Sequence, residues 1–440
     1  MMQKIKESAK ALLSKGQTTP HLYRTFFIYT LIALSIIGTK VLIARLYGQQ
    51  ELGIFSFFFS LVTVAFLFTS SGLCEAVTQT VVKHPGRLRS ALGKTFLFIV
   101  PSTIIITVPF VITNYILNSH SLKINFVFYI VTYTLFYVTY SILRGFKKFT
   151  ECSWYSLINR ILFMVFIVIA ARFAFSFDWV LLSLSVALCL AGVIALPSIY
   201  KLWKTTPQAE EVPTKEFLSL AVSLFMMQTG FYVLREMDII IIPYIVNFNQ
   251  LGVYSAQSSL SNIIRLIAYV FPVVVLPMAV VNQYRIKESL YKILKLLLPF
   301  SLLILLATYI FVPLLYGAEY SDRWLPIVLV IAAALLVIYS YFNSIFVGEN
   351  KISGFYLKII IIDFLISLIF NTFLLIVFVR WWGIVGAPIA ISLVIVLKIL
   401  VNIYGIKKLR RISPSDKSSP PSPDHKSQSP APDRPEQLPD

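Results

Sequence analysis

The sequence predicts an all-α integral membrane protein. We expect twelve transmembrane helices in two six-helix bundles, related by a parallel pseudo-two-fold along the membrane normal and enclosing a central cavity. The prediction depends on an apolar composition, on positive charge that alternates between loops, and on an internal repeat. Of the 440 residues 58% are hydrophobic and 13% charged, whereas soluble domains have about 45–50% apolar and about 25% charged residues. This composition excludes a soluble enzyme, a disordered chain and a disulfide scaffold.

The apolar runs have the length of membrane-crossing helices, which need about 20 residues. Residues 357–379 form one such run. Strands of a membrane barrel would instead alternate apolar and polar residues over short segments. We predict spans at residues 25–47, 53–82, 94–116, 124–143, 153–172, 178–201, 217–246, 250–281, 291–315, 324–347, 355–379 and 383–406.

Basic residues concentrate in alternate loops and at both ends of this span pattern. The intervening loops contain only Lys123, Arg172, Arg323 and Arg380. Cytoplasmic loops are enriched in Lys and Arg, so both termini are predicted to be cytoplasmic, with an even number of spans. The net charge of +18 therefore reflects topology and contact with anionic membrane lipids, and we expect no nucleic acid partner.

The predicted domain organisation follows from the spans. Residues 1–24 form a cytoplasmic N-terminal segment, 25–206 the N-terminal six-helix lobe and 207–411 the C-terminal six-helix lobe. Residues 412–440 are rich in Pro and Ser with nothing apolar to bury, a composition typical of a disordered tail.

The two predicted lobes share sequence features at a nearly constant spacing. The run 52–56 (LGIFS) opens the second span, and the run 251–255 (LGVYS) opens the eighth, 199 residues later. Two further pairs, Gly145 with Gly348 and Pro101 with Pro299, recur at similar spacing. Two homologous halves with six spans each form a parallel repeat, the arrangement that alternating-access transporters use.

Motifs for catalysis or cofactor binding are missing from the sequence. Gly93-Lys94-Thr95 resembles the end of a phosphate-binding loop but lacks the upstream glycine. Cys74, Cys152 and Cys189 do not form a disulfide framework or a metal-binding pair. We therefore expect no enzyme activity, no metal and no cofactor, with H⁺ or Na⁺ as a candidate coupling ion.

Ionisable residues inside the predicted spans are the candidate site, because such residues are costly in the bilayer and functional by default. Six are basic, and a cavity lined by an excess of them suits an anion. Arg235, Arg265, Lys40 and Arg45 are the candidates for binding a pyrophosphate or other anion. Arg160 and Lys358 are assigned to an inner vestibule or to snorkelling, and Lys398 is read in the same way without a role.

Four acidic residues share these spans: Glu75, Glu236, Asp238 and Asp363. Asp238, Glu75 and Asp363 are candidates for ion coupling, since a buried carboxylate can bind H⁺ or Na⁺. The alternative, which we favour, is that they neutralise nearby bases, for example Asp238 with Arg235 one turn away.

Three tyrosines, Tyr232, Tyr254 and Tyr269, have the chemistry to stack on sugar rings, and the sequence alone does not separate them from packing residues.

Several motifs resemble the polysaccharide-transporter family, the Wzx-type O-antigen flippases of the multidrug/oligosaccharidyl-lipid/polysaccharide exporter superfamily. The resemblance spans about residues 24–406 and rests on the order of degenerate motifs. They are Ala44-Arg45-Leu46-Tyr47-Gly48 leading into 52–56, Ser71-Gly72-Leu73 with Gln79, Arg144-Gly145-Phe146-Lys147-Lys148, 237–243 (MDIIIIP) leading into 251–256, and Gly383 with Gly386-Ala387.

This resemblance implies a lipid-linked oligosaccharide flippase of the bacterial inner membrane. Such proteins move an oligosaccharide on undecaprenyl diphosphate from the cytoplasmic to the outer leaflet, for O-antigen or other surface polysaccharide. By the resemblance, its pyrophosphate would meet Arg and Lys of helices 1, 7 and 8. We expect a monomer, with a polysaccharide polymerase as a further partner. The lipid II flippases of the superfamily typically carry two further helices, which are not predicted here.

Two other functions stay open at this point. One is a cation-coupled multidrug or metabolite exporter of the same superfamily, and the other is a membrane scaffold without transport. An exporter of organic cations needs an acidic cavity, and a scaffold does not need central arginines, so the location of the charges discriminates between them.

Overall fold

The computed structural model describes residues 19–113, 120–207, 211–280, 286–348 and 354–412. Within these ranges the chain is helical, without strands, and all twelve predicted helices are present. They are α1 (Thr19–Tyr47), α2 (Gln49–Lys83), α3 (Leu88–Thr113), α4 (His120–Gly145), α5 (Phe149–Arg172), α6 (Phe177–Thr205), α7 (Thr214–Ile245), α8 (Phe248–Val280), α9 (Ile286–Leu315), α10 (Leu325–Gly348), α11 (Gly354–Leu365 continued by Ile366–Phe370 and Asn371–Trp382) and α12 (Gly386–Ile412).

The helices extend beyond several predicted ends. The first begins at Thr19 rather than residue 25, and the third at Leu88 rather than residue 94. Hydropathy marks only the part of a helix that lies in hydrocarbon, whereas backbone hydrogen bonding continues into the polar flanks. Within the described chain, nine stretches are long and apolar enough to cross a membrane, or ten if the bent α7 counts as one span. One of the nine, Ile361–Lys408, contains both α11 and α12.

A local two-fold axis passes between the N-terminal ends of α2 and α8. A Cβ on Gly53 would lie 2.0 Å from the carbonyl oxygen of Phe248, and a Cβ on Gly252 would lie 2.1 Å from that of Gln49. Gly53 and Gly252 occupy equivalent positions in the two repeated runs, and each approaches the backbone that precedes the other. Ser56 and its repeat mate Ser255 share a hydrogen bond of 2.5 Å. A residue that touches its own mate lies on the axis, so the parallel pseudo-two-fold is confirmed.

Each half packs mainly within itself and meets the other half through α2, α7 and α8. In the first half α1 packs on α5, and α6 packs on α4 and α5. In the second half α10 packs on α8 and α12. Across the halves α2 packs on α8 near its start and on α7 along its length. The lobe boundaries stay predictions, and residues 1–18 and the predicted tail 413–440 lie outside the described residues.

The long helix α2 contains one wider, π-helical turn, Leu67–Ser71. The carbonyl oxygen of Thr69 in this turn accepts a hydrogen bond of 2.9 Å from the hydroxyl of Ser102 in α3. A π turn inserts one extra residue and is often found at functional sites. Gly72 directly follows this turn. A Cβ on Gly72 would lie 2.4 Å from the carbonyl oxygen of Ala221 in α7, so α2 and α7 cross closely there.

The crossing of α2 and α8 provides a stability prediction. Gly53→Ala or Gly252→Ala places a methyl group about 2 Å from a backbone carbonyl, so the helices must separate. We expect a large loss of folded protein and a lower midpoint in thermal unfolding of the purified protein. Gly192→Ala in α6 is the control, because nothing lies within 4 Å of its Cβ. An unchanged midpoint in both crossing variants would contradict this contact.

Candidate functional site

A cavity of about 230 Å³ lies between the halves, bounded by α1, α2 and α5 on one side and by α7 and α8 on the other. Its ionisable lining residues are the bases Lys40, Arg160, Arg235 and Arg265 and the acids Glu236 and Asp238. The bases exceed the acids by two. Three of the four predicted anion-binding residues therefore meet in one enclosed space.

Arg265 is the most deeply placed of these bases. Only 7% of the residue is exposed, and its Nε finds no hydrogen-bond partner among the described residues. The carboxylate of Asp238, which lines the same cavity, lies within electrostatic range of Arg265. Arg265 is therefore a buried cation with an acid nearby and one donor that has no hydrogen-bond partner among the described residues.

Lys40 reaches from α1 across the pseudo-two-fold axis into the other half. Its Nζ donates to the hydroxyl of Ser255 at 2.9 Å and to the carbonyl oxygen of Ser255 at 3.4 Å. The hydroxyl of Ser255 is shared with Ser56. An ammonium has three donors, so Lys40 is held in place while it keeps hydrogen-bonding capacity for a ligand in the cavity.

Arg235 does not pair with Asp238, the alternative considered from the sequence. Its guanidinium forms a 2.5 Å salt bridge with the adjacent Glu236 and lies 4.9 Å from the ring centroid of Tyr232. Glu236 also accepts a hydrogen bond of 2.6 Å from Ser60 in α2. The pair thus joins α7 to the first half and fixes the guanidinium at the cavity wall.

Asp238 is held by neutral donors instead. The hydroxyl of Tyr254 and the backbone N–H of Ile239 both donate to its carboxylate. Tyr254 is buried and also lines the cavity, where it supports Asp238. Asp238 is the one predicted coupling carboxylate that lines the cavity.

The structure places two other predicted bases differently from the sequence assignment. Arg45 lies outside the cavity, where its Nε and Nη2 donate to the carbonyl oxygens of Leu315 and Leu314 at 2.8 and 2.7 Å. It caps the C-terminus of α9 from the first half, a favourable position for a cation. Arg160, assigned to a vestibule, lines the cavity itself and lies 5.4 Å from the ring centroid of Phe59. The side chain of Lys358 lies outside the described residues.

The remaining acids each have a basic partner. Glu75 forms a 2.6 Å salt bridge with Arg144, and Asp363 forms a 3.0 Å salt bridge with Lys398. Both pairs lie outside the cavity, as the neutralising alternative predicts. Among the described residues no group of His, Cys, Asp or Glu is arranged to hold a metal ion.

Lys398 lies in a different environment from the one predicted. It does not snorkel: its side chain is 0% exposed. Its Nζ donates to the hydroxyl of Ser367 at 2.6 Å and to the carbonyl oxygen of Gly230 at 3.4 Å, and lies 4.6 Å from the ring centroid of Tyr339. The sequence feature that could have predicted this buried position is the single acid of the neighbouring span α11, Asp363, which is available to pair with Lys398.

The Asp363–Lys398 pair leads to a prediction about stability. Removing one partner of a buried pair leaves an uncompensated charge and costs about 3–5 kcal/mol, whereas replacing both is often tolerated. We expect Lys398→Met and Asp363→Asn each to lower the thermal midpoint, and the double variant to recover most of the loss. Lys292→Met, an exposed lysine of α9, is the control. A double variant less stable than either single variant would contradict this account.

Solved structures with the same fold include transporters. The chain is similar to "Lipid II flippase MurJ, inward closed conformation", with a TM-score of 0.65 and 16% identity over 87% of both chains. It is similar to an inward-facing multidrug resistance MATE family transporter of the MOP superfamily, with a TM-score of 0.64 and 14% identity over 87% of this chain and 96% of that one. A third is the MATE multidrug transporter DinF-BH, with a TM-score of 0.58 and 14% identity over 89% and 94% of the two chains.

No curated protein sequence matches the chain. The family model described as "Polysaccharide biosynthesis protein" matches residues 23–283. This range covers more than half of the sequence and contains most of α1, all of α2 to α8 and every basic residue of the cavity. The resemblance noted from the motifs is confirmed at the level of the family: the chain belongs to the polysaccharide biosynthesis protein family.

Proposed function

We propose that the protein is a flippase that moves an oligosaccharide linked to undecaprenyl diphosphate from the cytoplasmic to the outer leaflet of the bacterial inner membrane. In this proposal both termini are cytoplasmic and the protein acts as a monomer that supplies a polysaccharide polymerase. The observation that carries the proposal is the buried guanidinium of Arg265, whose Nε has no partner among the described residues, in a cavity with excess positive charge.

A diphosphate fits this arrangement of donors. Arginine presents a planar fork that binds phosphate bidentately, and lysine binds it as a point charge. Arg265 and Lys40 come from helices on opposite sides of the axis, and Arg160 adds a third cation from α5. Charge-assisted hydrogen bonds contribute about 1.5–3 kcal/mol each, so two or three of them favour a charged headgroup over a neutral one.

The margin of the cavity supports a lipid-linked substrate rather than a soluble anion. Ile36 of α1 and Leu266 of α8 both line it and are 39% and 46% exposed. In a bilayer, exposed apolar side chains at this depth contact acyl chains. A polyprenyl chain can therefore stay in the membrane, between α1 and α8, while its headgroup occupies the cavity.

The second candidate, a multidrug exporter for organic cations, is less well supported. Excess positive charge in the cavity repels a cationic drug. The shared fold with MATE transporters does not decide the substrate, because one fold supports different functions. An exporter of an anionic metabolite is compatible with the charge, but it gives no reason for the apolar margin.

Transport in this proposal uses alternating access. With both termini cytoplasmic, the side at which α2 and α8 begin is the outer side, and the contacts there correspond to an outward-closed state. The closely packed glycines of α2 and α8 and the cap that Arg45 places on α9 hold the outer ends of the halves together. Gln49 adds a hydrogen bond of 2.8 Å to the carbonyl oxygen of Glu319. These contacts must break to release a substrate outwards. For coupling to H⁺ or Na⁺ we propose Asp238, since Glu75 and Asp363 are occupied by basic partners.

The headgroup site is tested by removing its central cation. We expect Arg265→Ala to reduce surface polysaccharide at least tenfold, because the diphosphate loses a charge-assisted contact, and Arg265→Lys to retain part of the activity. The measurement is surface polymer in a deletion strain that expresses each variant, normalised to membrane protein level. Arg172→Ala, an exposed arginine at the end of α5, is the matched control. Normal polymer in Arg265→Ala would remove the support for this function.

The outer contact is tested with a crosslink across the axis. Ser56 and Ser255 have hydroxyls 2.5 Å apart, so we expect Ser56→Cys with Ser255→Cys to form a disulfide under oxidant. The crosslink should block transport, and a reductant should restore it. Each single cysteine variant is a control and should not respond to oxidant. A crosslinked protein that still transports would show that the outer ends need not separate.

A further inference from the structure

A second space between the halves lies beside the cationic cavity. This slot has a volume of about 30 Å³ and lies between α2 and α4 on one side and α7 on the other. The side chains that matter for its chemistry are Glu75 of α2, Tyr133 and Tyr137 of α4, and Gln228 and Tyr232 of α7. The slot thus combines aromatic rings with an amide and a carboxylate, whereas the cavity supplies cations.

The slot and the cavity are adjacent because they share the pair of Tyr232 and Arg235. Tyr232 lines the slot, Arg235 lines the cavity, and the guanidinium lies 4.9 Å from the ring centroid. Tyr137 is also within electrostatic range of Arg160 and Arg235. One molecule can therefore place an anionic part beside the arginines and a neighbouring part in the slot.

The rings of α4 form a rigid wall for this slot. Tyr133 and Tyr137 are one turn apart with ring centroids 4.8 Å apart, and Phe66 of α2 packs on them at 5.0 and 4.6 Å. Tyr129 continues the stack at 5.6 Å from Tyr133 but is buried and does not line the slot. Rings held by their neighbours lose little conformational freedom when a ligand binds beside them.

The polar groups of the slot suit hydroxyls rather than a second anion. Gln228 forms no hydrogen bond with any described residue, so its amide has donors and an acceptor to offer. Glu75 is held by Arg144 at 2.6 Å and keeps further lone pairs for hydroxyl donors. Flat rings that contact the C–H face of a pyranose, with an amide and a carboxylate for its hydroxyls, match a neutral sugar.

We propose that this slot binds the first sugar of the substrate, the one attached to the diphosphate, and selects a neutral sugar at that position. The inference rests on the proposed function. Gln228, Tyr232 and Arg235 follow one another along α7 over about 10 Å, at 1.5 Å per residue, so sugar and diphosphate sites are in the order that the substrate requires.

In the conformation described, the slot has room for about one water molecule. The sugar enters when α7 moves away from α2 and α4. That movement opens the crossing where a Cβ on Gly72 would lie 2.4 Å from the carbonyl oxygen of Ala221. The slot is therefore a binding site of the substrate-loaded state.

The test compares two probes, undecaprenyl diphosphate and undecaprenyl diphosphate that carries one neutral N-acetylhexosamine. Binding to the purified full chain in nanodiscs is measured for wild type, Tyr137→Leu, Gln228→Leu and Tyr137→Phe. We expect wild type to prefer the glycosylated probe by about tenfold, the factor for one hydrogen bond and one ring contact. Tyr137→Leu and Gln228→Leu should lose this preference with less than a twofold change for the bare diphosphate, and Tyr137→Phe should keep it.

The outcomes separate the slot from the proposed function. Arg265→Ala should weaken both probes by the same factor, because it acts on the diphosphate. Equal binding of the two probes by wild type, or an unchanged preference in Gln228→Leu and in folded Tyr137→Leu, overturns the slot and leaves the flippase proposal standing. If wild type binds neither probe, the proposed function fails, and this inference fails with it. Tyr129→Leu, in the same stack but outside the slot, controls for damage to α4.

Discussion

The structure is organised around the cost of keeping positive charge between two halves that are otherwise apolar. Lys40, Arg160, Arg235 and Arg265 share one cavity, and among these described residues only Arg235 has an acid beside it in a salt bridge. In the low dielectric of a membrane interior this arrangement is unfavourable without a counter-ion. Serine hydroxyls, aromatic faces and the nearby carboxylate of Asp238 compensate the remaining cations in part. In the proposed function an anionic headgroup adds to this compensation, so ligand binding and stability are linked.

The same constraint accounts for the contrast between the cavity and its surroundings. Away from the cavity, Glu75 has Arg144 as its partner, and Asp363 has Lys398. Each pair joins two helices, and its opposite charges largely cancel, so it adds little net charge to the protein interior. Inside the cavity the four basic residues outnumber the two acidic ones. The pairs outside the cavity join helices, and the proposed headgroup site lies where basic residues outnumber acidic ones.

The fold could be predicted from the sequence because membrane insertion leaves few choices. Hydropathy locates helices, loop charge orients them, and the repeated run at 52–56 and 251–255 reveals the symmetry that the Gly53 and Gly252 contacts realise. The site was harder, because sequence gives the depth of a residue in the bilayer but not the direction of its side chain. Arg45 is at the expected depth yet points to the end of α9, and Arg160 and Lys398 turn inwards where snorkelling was expected.

The π-helical turn Leu67–Ser71 has a consequence for how the halves separate. It lies on α2 between two tight crossings, one with α8 at Gly53 and one with α7 at Gly72. A uniform rod would transmit any tilt at one crossing to the other, and both entrances would then open at once. The wider turn next to the Gly72 crossing gives α2 a position at which its two ends can tilt by different amounts. In the proposed alternating access, this would let one entrance open while the other stays closed.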